Sequence, residues 1–112
     1  MSSTRQNKVA RLILKDLAAI FLRESTVLAP GMMITITEVK MSPDLGVAKI
    51  YLSIFPPKDR EIHLKKIDDA KRDIRWKLGE KLKSQLRIVP ELIFYLDDTL
   101  DRAARIDELL KK

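Results

Sequence analysis

The chain has 112 residues, of which 46% are hydrophobic and 34% charged, and its formal net charge is +6; this profile predicts one folded domain over residues 1–112. No apolar run reaches the roughly 20 residues of a membrane helix, and charges interrupt the N-terminal segment where a signal peptide has its apolar region. Because the chain has no cysteine, disulfides and thiolate metal sites are excluded, and a cytoplasmic protein is predicted.

The first half of the chain shows a helix followed by a hairpin. Residues 4 to about 24 place apolar side chains at helical spacing, and Ser25-Thr26 together with Ala29-Pro30-Gly31 are predicted to break this helix and form a loop. Residues 32–40 alternate isoleucine with threonine, which predicts a strand. After a turn at Met41–Gly46, residues 48–54 alternate again. The two strands are therefore predicted to form an antiparallel hairpin.

The second half returns to helical spacing from about Glu61 to Leu86, where a basic helix is predicted. Gly79 inside it indicates a bend or a close packing contact. Residues 91–97 are predicted as a third strand, with Pro90 tolerated at its start, and a last helix is predicted from Leu100 to about Leu110. The order α-β-β-α-β-α predicts an α+β fold, with a three-stranded mixed sheet and helices packed mainly on one face.

Positive charge is concentrated in two segments that both look helical. Residues 1–24 carry five basic and two acidic side chains, and residues 58–87 carry eleven basic and six acidic. Residues 25–57 balance at zero, and residues 88–112 sum to −2. This asymmetry indicates a polyanionic partner, nucleic acid ahead of a membrane surface, although a basic surface that is only hydrated accounts for the charge equally well.

Catalysis and metal binding are not predicted. His63, the single histidine, has no nucleophile partner that could be named and is interpreted as a surface residue. Asp68-Asp69 is interpreted as forming local ion pairs, and Asp97-Asp98 as a strand end and helix cap. The three glycines form no phosphate-binding loop. The chain is thus predicted to be no enzyme and to need no cofactor, metal or small-molecule substrate.

The basic helix is the strongest local indication of binding, because cations one turn apart suit successive phosphates. RNA contacts are predicted for Lys71, Arg72, Arg75, Lys81, Lys83 and Arg87, with a second patch at Arg5, Lys8 and Arg11. Trp76 is predicted to cover the edge of the core, and the alternative is that it stacks on a base or a sugar. Tyr51 is a second candidate for such stacking. A second class of function stays open, in which the sheet edge or its wet face recruits a protein partner or a second copy.

Two stretches resemble signatures of the bacterial ribosome-binding factor A family. Residues 35–54, TITEVKMSPDLGVAKIYLSI, are similar to its hairpin, with a Ser-x-Asp-Leu turn and an Ala-Lys-x-Tyr strand. Residues 74–100, IRWKLGEKLKSQLRIVPELIFYLDDTL, are similar to its second signature, and the N-terminal helix also resembles the start of the family. The resemblance implies a KH type II-like fold that lacks the usual GXXG loop.

The resemblance further implies a cytoplasmic, non-enzymatic assembly factor that binds the free 30S subunit and its 16S rRNA. It would assist late maturation, including processing at the 16S 5′ end, and would be linked to growth in the cold. A monomer without membrane contacts is expected. The family interrupts its main helix at Ala-x-Gly, and the matching residues here are Ala70, Lys71 and Arg72. Because the glycine is missing, the helix is expected to run straighter or to bend near Gly79.

Overall fold

The computed structural model describes residues 3–97. Within them lie three helices and three strands: α1 Thr4–Leu28, β1 Met33–Met41, β2 Val47–Phe55, α2 Arg60–Asp69, α3 Lys71–Leu82 and β3 Glu91–Leu96. The predicted α-β-β-α-β order is confirmed, with the main helix divided into α2 and α3. The predicted last helix, Leu100 to about Leu110, lies outside the described residues.

Helix α1 begins at a capping box and ends later than predicted. The Ser3 hydroxyl accepts the Gln6 N–H at 3.1 Å, and the Gln6 side chain accepts the Ser3 N–H at 2.8 Å. The predicted end at Ser25-Thr26 is wrong, because one more turn brings Leu28 into the core. The helix ends at Leu28, and its C-cap Ala29 is not helical, since proline at position 30 disfavours helical geometry in the residue that precedes it.

The strands form one mixed sheet in the order β1-β2-β3, with β1 antiparallel and β3 parallel to β2. Thr37 is an extra residue in β1, because the pairing shifts between Ile36 and Glu38. The shift keeps Ile36 and Val39 on the same sheet face, where both pair with buried residues of β2. The Thr37 hydroxyl donates to Asp97 Oδ2 at 2.6 Å, which ties the bulge to the end of β3.

The break between α2 and α3 falls at Ala70, so the expected straighter helix, or bend near Gly79, is wrong. Ala70 has φ −88° and ψ 4°, a conformation that any L-residue can adopt. Its N–H reaches the carbonyls of Lys66 and Ile67, both at 3.1 Å. No left-handed residue is needed there, which explains how the break persists with arginine in the position of the family's glycine.

The helices cover one face of the sheet, as predicted. On β2, Ile50, Leu52 and Ile54 are fully buried, while the intervening residues face the opposite side. That opposite face carries Tyr51 stacked on Tyr95, with ring centroids 5.3 Å apart. The described part of the molecule therefore has one covered and one open sheet face. Between residues 3 and 97, no helix has the length and apolarity to cross a membrane.

Candidate nucleic-acid interface

Groove A lies between α3 and the connection that leads into β3, and its volume is about 670 Å³. Its described lining consists of Lys71, Arg72, Arg75, Trp76, Gly79, Glu80, Val89 and Glu91. A Cβ atom placed on Gly79 would lie 3.1 Å from Val89 Cγ2, so the glycine allows α3 and the connection to approach closely. The close packing contact predicted as one alternative at Gly79 is confirmed, and α3 passes through this residue without interruption.

Arg75 holds the wall of groove A in place. Its Nε donates to the carbonyl of Pro90 at 3.1 Å, and its Nη2 donates to the carbonyl of Val89 at 2.7 Å. These two bonds satisfy main-chain acceptors just before β3, where proline contributes no N–H of its own. The side chain predicted as an RNA contact therefore has a structural role whether or not it also meets phosphate.

The other predicted cations of this region differ in how they are paired. Lys71 Nζ lies 3.4 Å from Asp68 Oδ1 and Lys83 Nζ lies 3.6 Å from Glu80 Oε2, both at i,i+3 helical spacing. Exposed pairs of this kind contribute little and exchange readily for another anion. Arg72, Lys81 and Arg87 are exposed, and no carboxylate within residues 3–97 pairs with them.

Groove B lies on the other side of Trp76, between α3 and the C-terminal half of α1. It encloses about 290 Å³, and its described lining consists of Ile20, Arg23, Glu24, Trp76, Lys77, Glu80 and Lys81. Lys77 Nζ bridges the two helices, at 2.8 Å from Asp73 Oδ2 and 2.6 Å from Glu24 Oε1. Those two hydrogen bonds, to Asp73 first and then Glu24, raise the pKa of Lys77 above its ordinary value. Arg23 was not predicted at this surface, because nothing along the chain shows that α1 lies beside α3 there.

Groove C joins the two predicted basic patches. It encloses about 210 Å³, and its described lining consists of Arg5, Val9, Asp44, Leu45, Gly46, Leu86, Arg87, Ile88 and Pro90. Arg5 and Arg87 are thereby brought to one site from opposite ends of the sequence. Lys8 and Arg11 are exposed on α1, but they belong to none of the three groove linings.

The turn beside groove C is organised by one carboxylate. Asp44 Oδ1 accepts the Ser42 hydroxyl at 2.6 Å and the Gly46 N–H at 2.9 Å. These hydrogen bonds, the hydroxyl first, lower the pKa of Asp44 below its ordinary value. Leu45 takes a left-handed conformation, with φ 61°. The fixed turn then offers the Gly46 carbonyl to the Glu91 N–H at 2.9 Å, which positions the start of β3.

Trp76 lines both groove A and groove B, and 66% of its surface is exposed. The prediction that it covers the edge of the core is wrong. Ile74 and Leu78, two residues to either side, are buried, and side chains two positions apart on a helix do not share a face. The spacing to these neighbours is the signal that could have placed Trp76 outward.

His63 departs from its interpretation as a surface residue. It is half-buried, and its Nδ1 is buried with no hydrogen-bond partner in the described part of the chain. Among residues 3–97, no three histidine or acidic side chains come close enough together to hold a metal ion.

These features define a KH type II-like α+β protein whose α3 carries cationic grooves on both sides of an exposed tryptophan. The family model of ribosome-binding factor A matches residues 5–110. A Cytophaga hutchinsonii protein named ribosome-binding factor A is 54% identical over 112 residues, which span 100% of this chain and 84% of that protein. A Christiangramia forsetii protein of the same name is 38% identical, over 97% and 84% of the two chains. The chain belongs to the ribosome-binding factor A family.

Solved structures agree on the fold. The crystal structure of ribosome-binding factor A from Thermus thermophilus matches with a TM-score of 0.70 at 20% identity, over 81% of this chain and 94% of that one. Homology coordinates of the Thermus thermophilus factor, fitted into the cryo-EM map of a complex with 30S, match with a TM-score of 0.60 at 18% identity. The second match covers 87% of this chain and 96% of that one. At these identities the likeness shows the shared α+β architecture.

Proposed function

We propose that this protein binds the free 30S ribosomal subunit through 16S rRNA and assists late subunit maturation, including processing at the 16S 5′ end. Membership in the ribosome-binding factor A family supports the subunit as partner. The Thermus thermophilus relative that was fitted into the map of its complex with 30S supports the same partner. In this proposal the protein acts in the cytoplasm as a monomer, and it binds without catalysing a reaction. Its contribution to subunit maturation is greatest during growth in the cold.

Exposed cations on the α3 side are the observation that carries the RNA contact. Arg72, Lys81 and Arg87 have no carboxylate partner within residues 3–97. RNA phosphates that meet such cations release condensed counterions, and this release drives binding. Lys71 and Lys83 join them, because an exposed i,i+3 ion pair exchanges its carboxylate for a phosphate at small cost.

The second patch extends this surface along α1. Arg5 shares groove C with Arg87, so the N-terminal turn of α1 continues the cationic surface that α3 begins. Lys8 and Arg11 follow at intervals of three residues and are exposed. The proposed contact surface therefore runs from groove A, past the connection before β3, to the start of α1.

Sedimentation with ribosomal particles tests the proposal. The double variant Arg72→Glu/Arg87→Glu should leave the 30S fractions of a sucrose gradient, because it places anions where phosphates are proposed to lie. The matched control is Lys49→Glu/Lys58→Glu, which makes the same charge change at exposed positions away from the three grooves. The wild-type chain and the control variant should stay with free 30S particles and be absent from 70S.

Two results would overturn the proposal at different levels. If the arginine variant folds and still sediments with 30S like the wild type, the proposed surface is not the contact. If the wild-type chain sediments with no ribosomal particle, and forms a dimer that is indifferent to RNA and salt, the protein-recruitment alternative replaces RNA binding. Maturation has its own measurement: primer extension should show unprocessed 16S 5′ ends in cells that carry only the arginine variant.

A further inference from the structure

Trp76 is the one tryptophan of the chain, and it lines two grooves that both carry cations. With 66% of its surface exposed, it leaves a large apolar ring in contact with water. Tryptophan is enriched at surfaces that contact another molecule, because its ring offers a large apolar face and its N–H a hydrogen-bond donor. Trp76 is not needed for the hydrophobic core, because the buried Ile74 and Leu78 make the core contacts of this part of α3.

No side chain within residues 3–97 makes an aromatic stacking or cation–π contact with the Trp76 ring. The aromatic pairs within residues 3–97 are Phe21 with Phe94 and Tyr51 with Tyr95, and the cation–π contact is Lys40 over Tyr51. Gly79, three positions after Trp76, presents no side chain at the neighbouring site on the helix surface. Within residues 3–97 the indole therefore has no stacking partner, and it lines two grooves.

Cations flank the ring on both sides. Groove A contributes Lys71 and Arg72, and groove B contributes Arg23 and Lys81. Arg72 precedes Trp76 by four residues, which places the two side chains about 5–6 Å apart at Cβ on one face of α3. An aromatic ring between cations provides stacking for a base and charge for the phosphates beside it.

We propose that Trp76 is a stacking platform for an unpaired RNA base, with the flanking phosphates held by Arg72 in groove A and Lys81 in groove B. The inference rests on the proposed RNA-binding function and adds the kind of RNA that the site takes. In an A-form duplex the bases are stacked on one another, so their faces are not available to a side chain. A loop, bulge or end offers the exposed base face that Trp76 needs.

The surroundings favour RNA over a protein partner. Tryptophan is also frequent in the centre of protein interfaces, but lysine is depleted there. Here three basic side chains face two acidic ones in each described lining, with Glu80 and Glu91 in groove A and Glu24 and Glu80 in groove B. Glu24 is paired with Lys77 at 2.6 Å and Glu80 with Lys83 at 3.6 Å. This composition complements a phosphate backbone.

Because the chain has one tryptophan, its fluorescence reports on this residue alone. Three probes separate base from backbone: an eight-nucleotide uridine RNA, an abasic oligonucleotide of the same length, and a blunt RNA duplex. The uridine RNA should quench the tryptophan fluorescence, and the other two should not. Trp76→Ala should weaken binding of the uridine RNA about 5- to 150-fold, and Trp76→Phe should restore most of the affinity. Circular dichroism of both variants reports whether the fold is retained.

Phe55→Ala is the matched control, since Phe55 is an aromatic side chain 62% exposed and lines none of the three grooves. It should bind the uridine RNA like the wild type. If Trp76→Ala binds the uridine RNA as tightly as the control, while Arg72→Glu still weakens binding, the stacking inference is overturned and the proposed function stands. If neither change affects binding to RNA or to 30S particles, both proposals fall. If Trp76→Ala loses 30S binding but keeps its RNA affinity, the ring meets a ribosomal protein, which also overturns the inference.

Discussion

Arg75 lies in the proposed interface, yet its contacts predict that its loss acts first on stability. Arg75→Ala removes two hydrogen bonds from a guanidinium, at 3.1 Å to the Pro90 carbonyl and at 2.7 Å to the Val89 carbonyl. A hydrogen bond to a charged group is worth about 1.5–3 kcal/mol net. Because one of the two bonds is exposed to water, we expect about 2 kcal/mol for the pair. A loss of this size lowers Tm by about 10 °C in a chain of this length.

Arg72→Ala is the matched comparison, because it removes one arginine from the same groove and the same helix. Arg72 has no carboxylate partner within residues 3–97, so its loss should change the free energy of unfolding by less than about 0.5 kcal/mol. Urea unfolding followed by far-UV circular dichroism measures both variants, and the m-value should stay constant. In RNA titrations, Arg72→Ala should reduce the salt slope by about one. Equal unfolding free energies for the two variants would refute the role of Arg75 in holding the connection before β3.

Two further predictions concern the turn and the glycine. The lowered pKa of Asp44 means that its carboxylate stabilises the fold above its unfolded-state pKa and that this contribution is lost as the pH falls through its folded-state pKa. Thermal scans from about pH 5 to about pH 2 should therefore show a smaller loss for Asp44→Asn than for the wild type, with the exposed Asp69→Asn as control. Gly79→Ala should gain about 1 kcal/mol of helix propensity in a Val89→Ala background and less in the wild type, where the new Cβ meets Val89 Cγ2 at 3.1 Å. If a double-mutant cycle shows no coupling between positions 79 and 89, the Val89 side chain moves aside without cost and the prediction is wrong.

The elements of the fold follow from local patterns in the sequence. The alternation through Ile50, Leu52 and Ile54 predicted a half-buried strand, and all three residues are fully buried on β2. This prediction succeeds because side chains alternate between the two faces of any strand. The bulge at Thr37 was not predicted. A bulge is defined only by pairing with another strand, and the sequence of β1 by itself does not contain its register against β2.

The helix break at Ala70 was also not predicted from the local sequence, because the family's glycine is missing from the motif. Its absence led to an expected straighter helix, or a bend near Gly79, yet the break occurs at Ala70. Buried side chains before and after the break, Ile67 and Ile74, both join the one core. The break needs no left-handed residue, so a motif that lacks its glycine can still be interrupted there.

The sequence by itself determined the kinds of element, their order and the concentration of cations on the main helix, because periodicity and charge are properties of neighbouring residues. The tertiary structure alone decided which of those cations are available. Arg75 is held by carbonyls fourteen and fifteen positions away, and Lys77 by a carboxylate of α1. It also placed Trp76 between two grooves whose walls come from α1 and from the connection before β3. Contacts between segments distant in the chain set these outcomes, since they depend on which surfaces the fold brings together.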